Sequence, residues 1–192
     1  MIGILSLVNY LLGSIPFGLL IGKMRGVDVR KIGSGNIGAT NVYRGLGIQW
    51  GLLVGICDFL KGFVAATLAV SFFTGYQAVL VAFFSILGHI FPVWLKGKGG
   101  KGVSTTAGVL CVFLGWKVAV YMLLVWILFL AATKLMSLVN CVFALSFPVL
   151  LWLRFKDVPI TAVGVLMTGL IWWAHRSNIV RLYAGKEKKL TF

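Results

Sequence analysis

The composition of this 192-residue chain is that of a membrane protein. Sixty per cent of its residues are apolar or aromatic and 11% are charged, whereas a soluble domain has ~45–50% apolar and ~25% charged residues. The mean hydropathy of +1.01 indicates more apolar surface than one small core can bury. These values exclude a soluble enzyme, a secreted disulfide scaffold and a disordered protein.

The charge balance is strongly positive. Eighteen Lys and Arg residues stand against four acidic ones, which gives a net charge of +14. Such a ratio suits nucleic acid, anionic lipid or an anionic substrate, but the positive residues lie in short loops between apolar runs, so we expect no nucleic-acid partner. The four acidic residues are scattered along the chain, whereas a metal centre needs two or three converging ligands. We therefore expect no metal.

Seven apolar segments follow one another along the chain. They cover residues 2–22, 50–73, 76–95, 103–116, 118–133, 138–153 and 158–174. A membrane span needs ~20 apolar residues, with a range of ~17–25, so the fourth and sixth segments would need snorkelling ends or a thinner bilayer. The pattern predicts an all-α integral membrane protein with seven transmembrane helices in a single domain over residues 1–192.

The positive residues also predict an orientation. Fourteen lie at the ends and in the loops of one side of the predicted membrane, and three, Lys117, Arg154 and Lys156, lie on the other side. Cytoplasmic loops carry the excess of Lys and Arg in membrane proteins. We expect the N-terminus outside, and the C-terminus and the glycine-rich loops in the cytoplasm.

The first predicted cytoplasmic loop alternates glycine with small polar residues. It reads RKIGSGNIGATNVYRGLG over residues 30–47 and is called the first glycine-rich loop below. Glycines let successive backbone N–H groups point into one concavity that binds anions, and an arginine can hold a phosphate with two hydrogen bonds. The alternative is a flexible re-entrant loop. The candidate substrate-binding residues are Ser34, Gly35, Asn36, Gly38, Thr40, Asn41 and Arg44.

The second glycine-rich loop reads GKGGKGVSTT over residues 97–106. Its hydroxyl residues fall where a helix begins, and a helix N-terminus offers free N–H groups to an anion. The order of a nucleotide P-loop is not met, because Lys101 is followed by Gly102 instead of Ser or Thr, so we do not expect ATP hydrolysis. The candidate site residues here are Lys98, Gly100, Lys101, Gly102 and Ser104.

Further polar residues lie on the same predicted face of the membrane. Ser137 and Asn140 begin the sixth apolar segment, and His175 and Asn178 share a helical face at a spacing of three residues. Polar residues at an exposed helix end often have no function, but this combination beside two anion-binding loops favours a site.

Three ionisable residues fall inside or at the end of predicted spans. Asp58 and Lys61, one helical turn apart in the second segment, fit either a structural ion pair or a functional site. His89, near the predicted cytoplasmic end of the third segment, fits either the packing of loops or contact with a substrate.

The chain resembles the bacterial acyl-phosphate:glycerol-3-phosphate acyltransferases, the PlsY family, over nearly its whole length. The motifs that carry the resemblance are GSIPFG at 13–18, RKIGSGNIGATNVYRGLG at 30–47, DFLKG at 58–62, GHIFPVWLKGKGGKGVST at 88–105 and HRSNIVRLYAG at 175–185. Asn140 stands where the family commonly has a serine, and an amide can also donate to phosphate.

The resemblance implies an enzyme of phospholipid biosynthesis in the bacterial inner membrane, with seven transmembrane helices and an active site on the cytoplasmic side. It would transfer an acyl group from acyl phosphate to the 1-hydroxyl of sn-glycerol 3-phosphate, releasing lysophosphatidate and inorganic phosphate. The implied partners are these two substrates and membrane lipid, with no cofactor.

The resemblance also suggests roles for the candidate residues. The first glycine-rich loop, Lys101 and the amides near Ser104 would hold the acyl phosphate, whereas Arg44, His175 and Asn178 would anchor glycerol 3-phosphate. The implied catalytic residues are His175, Lys101 and Asn178. The general base is either His175 or an oxygen of the acyl phosphate itself, and we favour the substrate oxygen.

Other function classes fit the residues less well. A transporter or channel predicts inverted repeats and polar groups near the middle of the bilayer, whereas no repeat is visible here and the polar groups cluster on one predicted face. A structural lipid-binding protein would explain the Lys and Arg residues but not the glycine-rich loops. A metal-dependent lipid phosphotransferase would need more acidic residues.

Overall fold

The computed structural model describes residues 1–190, and all regular secondary structure in this part of the chain is helical. Two short 3-10 helices cover Val29–Lys31 and Val93–Leu95. The α-helices are α1 Ile2–Gly13, α2 Phe17–Met24, α3 Ala39–Leu46, α4 Ile48–Phe72, α5 Gly75–Ile90, α6 Val103–Leu114, α7 Trp116–Thr133, α8 Met136–Ala144, α9 Ser146–Phe155, α10 Val158–Ala174 and α11 Arg176–Tyr183. The all-α fold class is thus confirmed for residues 1–190.

Five helical stretches are long and apolar enough to cross a membrane. They are Ile2–Met24, Ile48–Phe72, Gly75–Leu95, Trp116–Thr133 and Met136–Phe155. A sixth is obtained if α10 and α11, which meet at an angle of 64°, form one broken span, and α6 is a shorter apolar helix of 12 residues. All seven predicted apolar segments are therefore helical, while their number as spans and their orientation stay predictions.

Two predicted spans contain breaks, and the chain bends just after the seventh. The first is divided between α1 and α2 at Ser14–Pro16, because proline has no N–H group to continue the helical hydrogen bonds. The sixth is divided between α8 and α9 at Leu145, and the chain bends at His175 between α10 and α11.

The chain divides into two compact units, Met1–Val109 and the part from Leu110 onward. The expectation of a single domain over residues 1–192 is not tested by this division and stays a prediction. The first unit contains both glycine-rich loops, and the second contains Ser137, Asn140, His175 and Asn178.

In the first unit, α1 packs closely against α4 and α5. A Cβ atom added at Gly13 would collide with the backbone of Ser85, and one added at Gly88 would collide with the carbonyl oxygen of Tyr10. Small residues allow such backbone approach between membrane helices. The buried amide of Asn9 completes the contact, because its Nδ2 donates to the carbonyls of Ala65 in α4 and Val81 in α5, both at 3.0 Å.

An apolar cluster fixes the first glycine-rich loop to the helices beneath it. A Cβ at Gly18 of α2 would collide with the carbonyl oxygen of Ile37, so the helix and the loop backbone are in direct contact. The second half of the loop is not irregular, since it forms α3 and buries Val42. The buried members of the cluster are Leu19, Ile21, Val29, Ile37, Val42 and Val54.

In the second unit, α8 contacts α7, α10 and α11, and α9 packs on α10. Trp172 of α10 donates to the carbonyl of Cys141 at 2.9 Å, and Thr168 donates to that of Ala144 at 2.6 Å. The segment after α11 returns toward the beginning of α8, where the N–H of Leu190 donates to the carbonyl of Lys134 at 2.8 Å. This return brings Glu187 beside α8 and α11.

We predict that Gly88→Ala destabilises the protein and that Gly169→Ala does not. The added methyl group at position 88 meets backbone atoms that cannot move independently, whereas no atom lies within 4 Å of one at position 169. Overpacking of this kind costs about 1–3 kcal/mol. The thermal midpoints of the two purified variants in the same detergent test this, and equal midpoints would contradict it.

Candidate functional site

The first glycine-rich loop is held in shape by the side chain of Asn41. Its Oδ1 accepts hydrogen bonds from the N–H of Ser34 at 2.8 Å and from the Ser34 hydroxyl at 3.1 Å, and its Nδ2 donates to the carbonyl of Val29 at 2.8 Å. Asn41 is 3% exposed. Because the amide makes these bonds within the loop, the structure gives it a bracing role, and its predicted contact with substrate stays a prediction.

Two glycines of this loop need their conformational freedom. Gly33 and Gly35 have φ angles of +55° and +71°, in the left-handed region that L side chains rarely adopt. Farther along, the N–H of Gly38 donates to Oδ1 of Asn36 at 2.8 Å. Thr40 lies in the first turn of α3, and the exposed Arg44 lies in its last turn.

The two glycine-rich loops meet in the first unit. Nδ2 of Asn36 lies 3.4 Å from the carbonyl oxygen of Gly99, within hydrogen-bonding distance. Lys98 is exposed, and Lys101 is half-buried just before α6. Gly102 has a φ angle of +79° and its carbonyl accepts from the N–H and the hydroxyl of Thr106. The structure thus brings together loops that the sequence presented more than 50 residues apart.

The charges around these loops are partly organised by Asp28. Arg30 donates to its carboxylate through Nε at 2.9 Å and through Nη2 at 2.7 Å. These hydrogen bonds hold the pKa of Asp28 well below its usual range and raise the pKa of Arg30. Arg30 therefore serves an ion pair at the start of the loop, whereas the candidates for binding an anion are Arg44, Lys98 and Lys101.

In the second unit, Glu187 gathers three polar residues. Its Oε1 accepts from the Ser137 hydroxyl at 2.8 Å and from Nδ2 of Asn178 at 2.7 Å, and its Oε2 accepts from Nε of Arg181 at 2.7 Å. The Glu187 side chain is 7% exposed. Nothing in the sequence marked Glu187 among the four scattered acids. The candidates Ser137 and Asn178 both donate to it, and their predicted contacts with substrate stay predictions.

His175 lies in the bend between α10 and α11 and is fully buried. Its Nδ1 lies 2.8 Å from the carbonyl oxygen of Ile171, and a carbonyl oxygen only accepts hydrogen bonds, so Nδ1 carries the proton. In the neutral ring the lone pair is then on Nε2. This tautomer suits acceptance of a hydrogen bond from a hydroxyl group.

Asn140 takes part in packing between α7 and α8. Its Oδ1 accepts from Nε1 of Trp126 at 3.0 Å, which gives this buried amide a structural partner. Its predicted contact with substrate stays a prediction. Among residues 1–190, no group of three or more His, Cys, Asp or Glu side chains is arranged to hold a metal ion.

Glu187 generates a prediction about acid stability. Partial burial raises the pKa of the Glu187 carboxyl, but the hydrogen bonds from Asn178, Arg181 and Ser137 lower it by more. In the folded protein the pKa of Glu187 therefore lies below the ordinary value of 4.5. A lowered carboxyl pKa contributes stability that is complete above the ordinary value and is lost as the pH falls through the folded pKa. Glu187→Gln removes this contribution.

We therefore expect Glu187→Gln to reduce the free energy of unfolding at pH 7 by about 1–3 kcal/mol and to make the thermal midpoint less dependent on pH below about 5. Thermal unfolding of the purified proteins between pH 3.5 and 7 tests this. Lys189→Gln, which changes a neighbouring exposed charge, is the matched control. Parallel pH profiles for the wild type and Glu187→Gln would contradict the prediction.

Comparison with known proteins places this arrangement in a family. The family model described as glycerol-3-phosphate acyltransferase matches residues 3–185. Glycerol-3-phosphate acyltransferase from Agrobacterium fabrum is 45% identical over 193 residues, and the match covers 99% of this chain and 92% of the Agrobacterium chain. The enzyme of the same name from Aquifex aeolicus is 41% identical over 188 residues, covering 96% and 97% of the two chains.

Two solved structures share the fold. Both are crystal structures of PlsY (YgiH), an integral membrane glycerol 3-phosphate acyltransferase. The glycerol 3-phosphate form has a TM-score of 0.92 and 39% identity, covering 99% of this chain and 96% of the other. The lysophosphatidic acid form has a TM-score of 0.90 and 38% identity, with coverages of 99% and 95%. This helical membrane protein therefore belongs to the glycerol-3-phosphate acyltransferase family.

Proposed function

We propose that the protein transfers a fatty acyl group from acyl phosphate to the 1-hydroxyl of sn-glycerol 3-phosphate. The products are 1-acylglycerol 3-phosphate and inorganic phosphate, and the reaction uses no cofactor or metal. The observation that carries this proposal is the meeting of two glycine-rich loops at Asn36 and Gly99 in a chain of this family. The loops contribute backbone N–H groups and cations, which suit phosphate-bearing substrates.

In the first unit, the loops bind phosphate. The N–H groups of Ser34, Gly35 and Gly38 bond within the first loop and set its shape. The amides at the beginning of α6 near Ser104 provide neutral donors, while Lys98, Lys101 and Arg44 provide positive charge. Donors fixed in advance toward developing negative charge stabilise a transition state strongly. Lys101 also lies close to the amides of α6 in sequence, where it can neutralise the oxygen of the attacked carbonyl or of the leaving phosphate.

In the second unit, His175 and Asn178 orient glycerol 3-phosphate. Nε2 of His175 accepts a hydrogen bond from the hydroxyl of glycerol 3-phosphate that does not react, and Glu187 holds Asn178, Ser137 and Arg181 in position. The oxygen of the 1-hydroxyl attacks the acyl carbon, the bond from that carbon to the phosphate oxygen breaks, and the proton passes to an oxygen of the phosphate that leaves. The acyl phosphate then serves as its own general base.

The arrangement in the membrane is part of the same proposal. The family model covers nearly all of both units, so we propose a single acyltransferase domain over residues 1–192. We propose seven transmembrane helices in the bacterial inner membrane, with the N-terminus outside and the C-terminus and the active site on the cytoplasmic side. The lipid tail of the donor then stays in the bilayer while the soluble acceptor enters from the cytoplasm.

The test is phosphate release by purified protein in lipid mesophase or detergent, with palmitoyl phosphate, glycerol 3-phosphate and EDTA and with neither ATP nor coenzyme A. We expect release that requires both substrates and yields lysophosphatidate. If the folded protein leaves acyl phosphate intact, the acyltransferase proposal is wrong. Accumulation of glycerol 3-phosphate in sealed vesicles would then support a transporter.

Replacing Lys101 by glutamine should lower kcat/KM by about 10- to 100-fold, because a hydrogen bond from a charged group contributes about 1.5–3 kcal/mol. Lys117→Gln is the control, since Lys117 follows the C-terminal end of α6 whereas Lys101 precedes its N-terminal end. Steady-state phosphate release with each substrate varied in turn measures the effect. Equal losses in the two variants would exclude a specific role for Lys101.

His175→Ala separates the two possible bases. If the acyl phosphate accepts the proton, the variant has a raised KM for glycerol 3-phosphate and keeps its turnover at saturating concentrations of that substrate. If His175 is the base, kcat falls by several orders of magnitude while KM changes little. The thermal midpoint of the variant shows whether the loss of a buried ring has unfolded the protein.

A further inference from the structure

The first unit contains a buried polar cluster that the proposed reaction does not use. Asp58 and Lys61 of α4 form an ion pair with a 2.8 Å contact, and their side chains are 5% and 2% exposed. Nζ of Lys61 also donates to the carbonyl of Ile15 at 2.9 Å, in the break between α1 and α2. Ionisable groups at this depth are costly and generally serve a purpose, so the remaining neighbours of the carboxylate decide what that purpose is.

The carboxylate of Asp58 faces His89, near the end of α5. Oδ1 of Asp58 lies 3.5 Å from Nδ1 of His89, and the hydroxyl of Thr105 in α6 lies 3.2 Å from the same nitrogen. His89 is 5% exposed. These two oxygens, from Asp58 and Thr105, orient the imidazole ring through Nδ1. The opposite edge of the ring, which carries Nε2, faces away from them.

That opposite edge supports the second glycine-rich loop. A Cβ atom added at Gly100 would collide with Nε2 of His89, and one added at Gly99 would collide with the carbonyl oxygen of His89. The backbone follows the same path, since the N–H of Gly100 donates to the carbonyl of His89 at 3.0 Å and the N–H of Gly99 to that of Ile90 at 3.1 Å. The loop therefore lies directly on the imidazole and on the end of α5.

The cluster holds the chain on both sides of Lys101. Gly100 precedes the lysine and lies on the ring of His89, and Thr105 follows it and contacts Nδ1 of the same ring. Thr105 is itself held against α4, because a Cβ at Gly62 would collide with its carbonyl oxygen. The position of Lys101 along the loop is thereby tied to one buried side chain.

We propose that His89, fixed by Asp58 and Thr105, is a positioning residue that sets the second glycine-rich loop and its Lys101 for binding a phosphate-bearing substrate. Residues 99 and 100 must then be glycines because a larger side chain would collide with the ring or the backbone of His89. This requirement is separate from the approach of backbone amides to an anion. This inference rests on the proposed function for the identity of the substrate, and on the contacts of His89 for the mechanism.

A double-mutant cycle of His89→Ala and Gly100→Ala tests the proposal. In the wild-type background the methyl group of Gly100→Ala displaces the loop, and we expect KM for one of the two phosphate substrates to rise about tenfold with a smaller change in kcat. In the His89→Ala background the ring is absent, and we expect the same substitution to change that KM by less than about threefold.

Gly164→Ala is the matched control. It introduces the same methyl group into a packed region of the second unit, where it meets Leu151 and the backbone of Pro148 instead of the His89 cluster. Its effect should be the same in both backgrounds. If His89→Ala does not fold, Thr105→Val is the milder test, because it keeps the side-chain volume and removes one hydrogen-bonding partner of Nδ1 of His89. We expect it to raise the same KM and to lower the thermal midpoint by no more than a few degrees.

Melting temperatures of the same variants, measured without substrate, keep this inference separate from the proposed function. Coupling between His89 and Gly100 in both melting temperature and KM is the expected result. If the wild type transfers no acyl group, the proposed function fails, while the thermal cycle still reports the contact. Coupling in melting temperature with an unchanged KM would show that His89 only stabilises the fold. Equal effects of Gly100→Ala on KM and melting temperature in both backgrounds would show that the ring does not support the loop. Either result overturns the proposal.

Discussion

The buried ion pair of Asp58 and Lys61 is the interaction on which the first unit depends. A charge in this environment is tolerated only when its hydrogen-bonding capacity is met, and here the partners come from several elements. Lys61 donates to the carbonyl of Ile15 at the break between α1 and α2, and His89 at the end of α5 faces Asp58. The pair therefore lies where the chain must leave the helices and form loops. Through these contacts, the pair links the loop backbone to α4.

Glycine has two different uses around that centre. Within the helices, Gly13 and Gly88 let α1 and α5 approach until backbone touches backbone, which strengthens packing where no hydrophobic effect drives helices together in lipid. In the loops, Gly33 and Gly35 supply conformations that other residues rarely adopt. The first use makes a rigid support, and the second sets the path of the loop backbone. The proposed binding of phosphate needs both, because amides that shift would lose their alignment toward the anion.

Apolar periodicity and glycine-rich motifs predicted the helical segments and the two loops, because both signals are local in sequence. Apolar periodicity alone predicted one segment where Met136–Phe155 is divided at Leu145, although Pro148 in the first turn of α9 marks the break. Proline has no N–H for the carbonyl of Ala144, which accepts from the hydroxyl of Thr168 instead. Local signals could not find Glu187, which lies among lysines in a polar tail and contacts Ser137 across 50 residues of sequence. Such a residue is recognisable only once the return of the chain to Lys134 is known. The bracing role of Asn41 was missed for a similar reason, since a polar side chain in a glycine-rich loop can serve either the ligand or the loop.

Each of the four acidic residues has a structural partner. Asp28 is paired with Arg30, Asp58 with Lys61 and Glu187 with Arg181, while Asp157 accepts from the N–H of Ile160 at the beginning of α10. Each acid is thus committed to a local structural task within its own unit. The net charge of +14 is then carried by residues of the loops and helix ends, where it raises the local concentration of anionic substrates. A carboxylate added to these loops without such a partner would weaken that attraction.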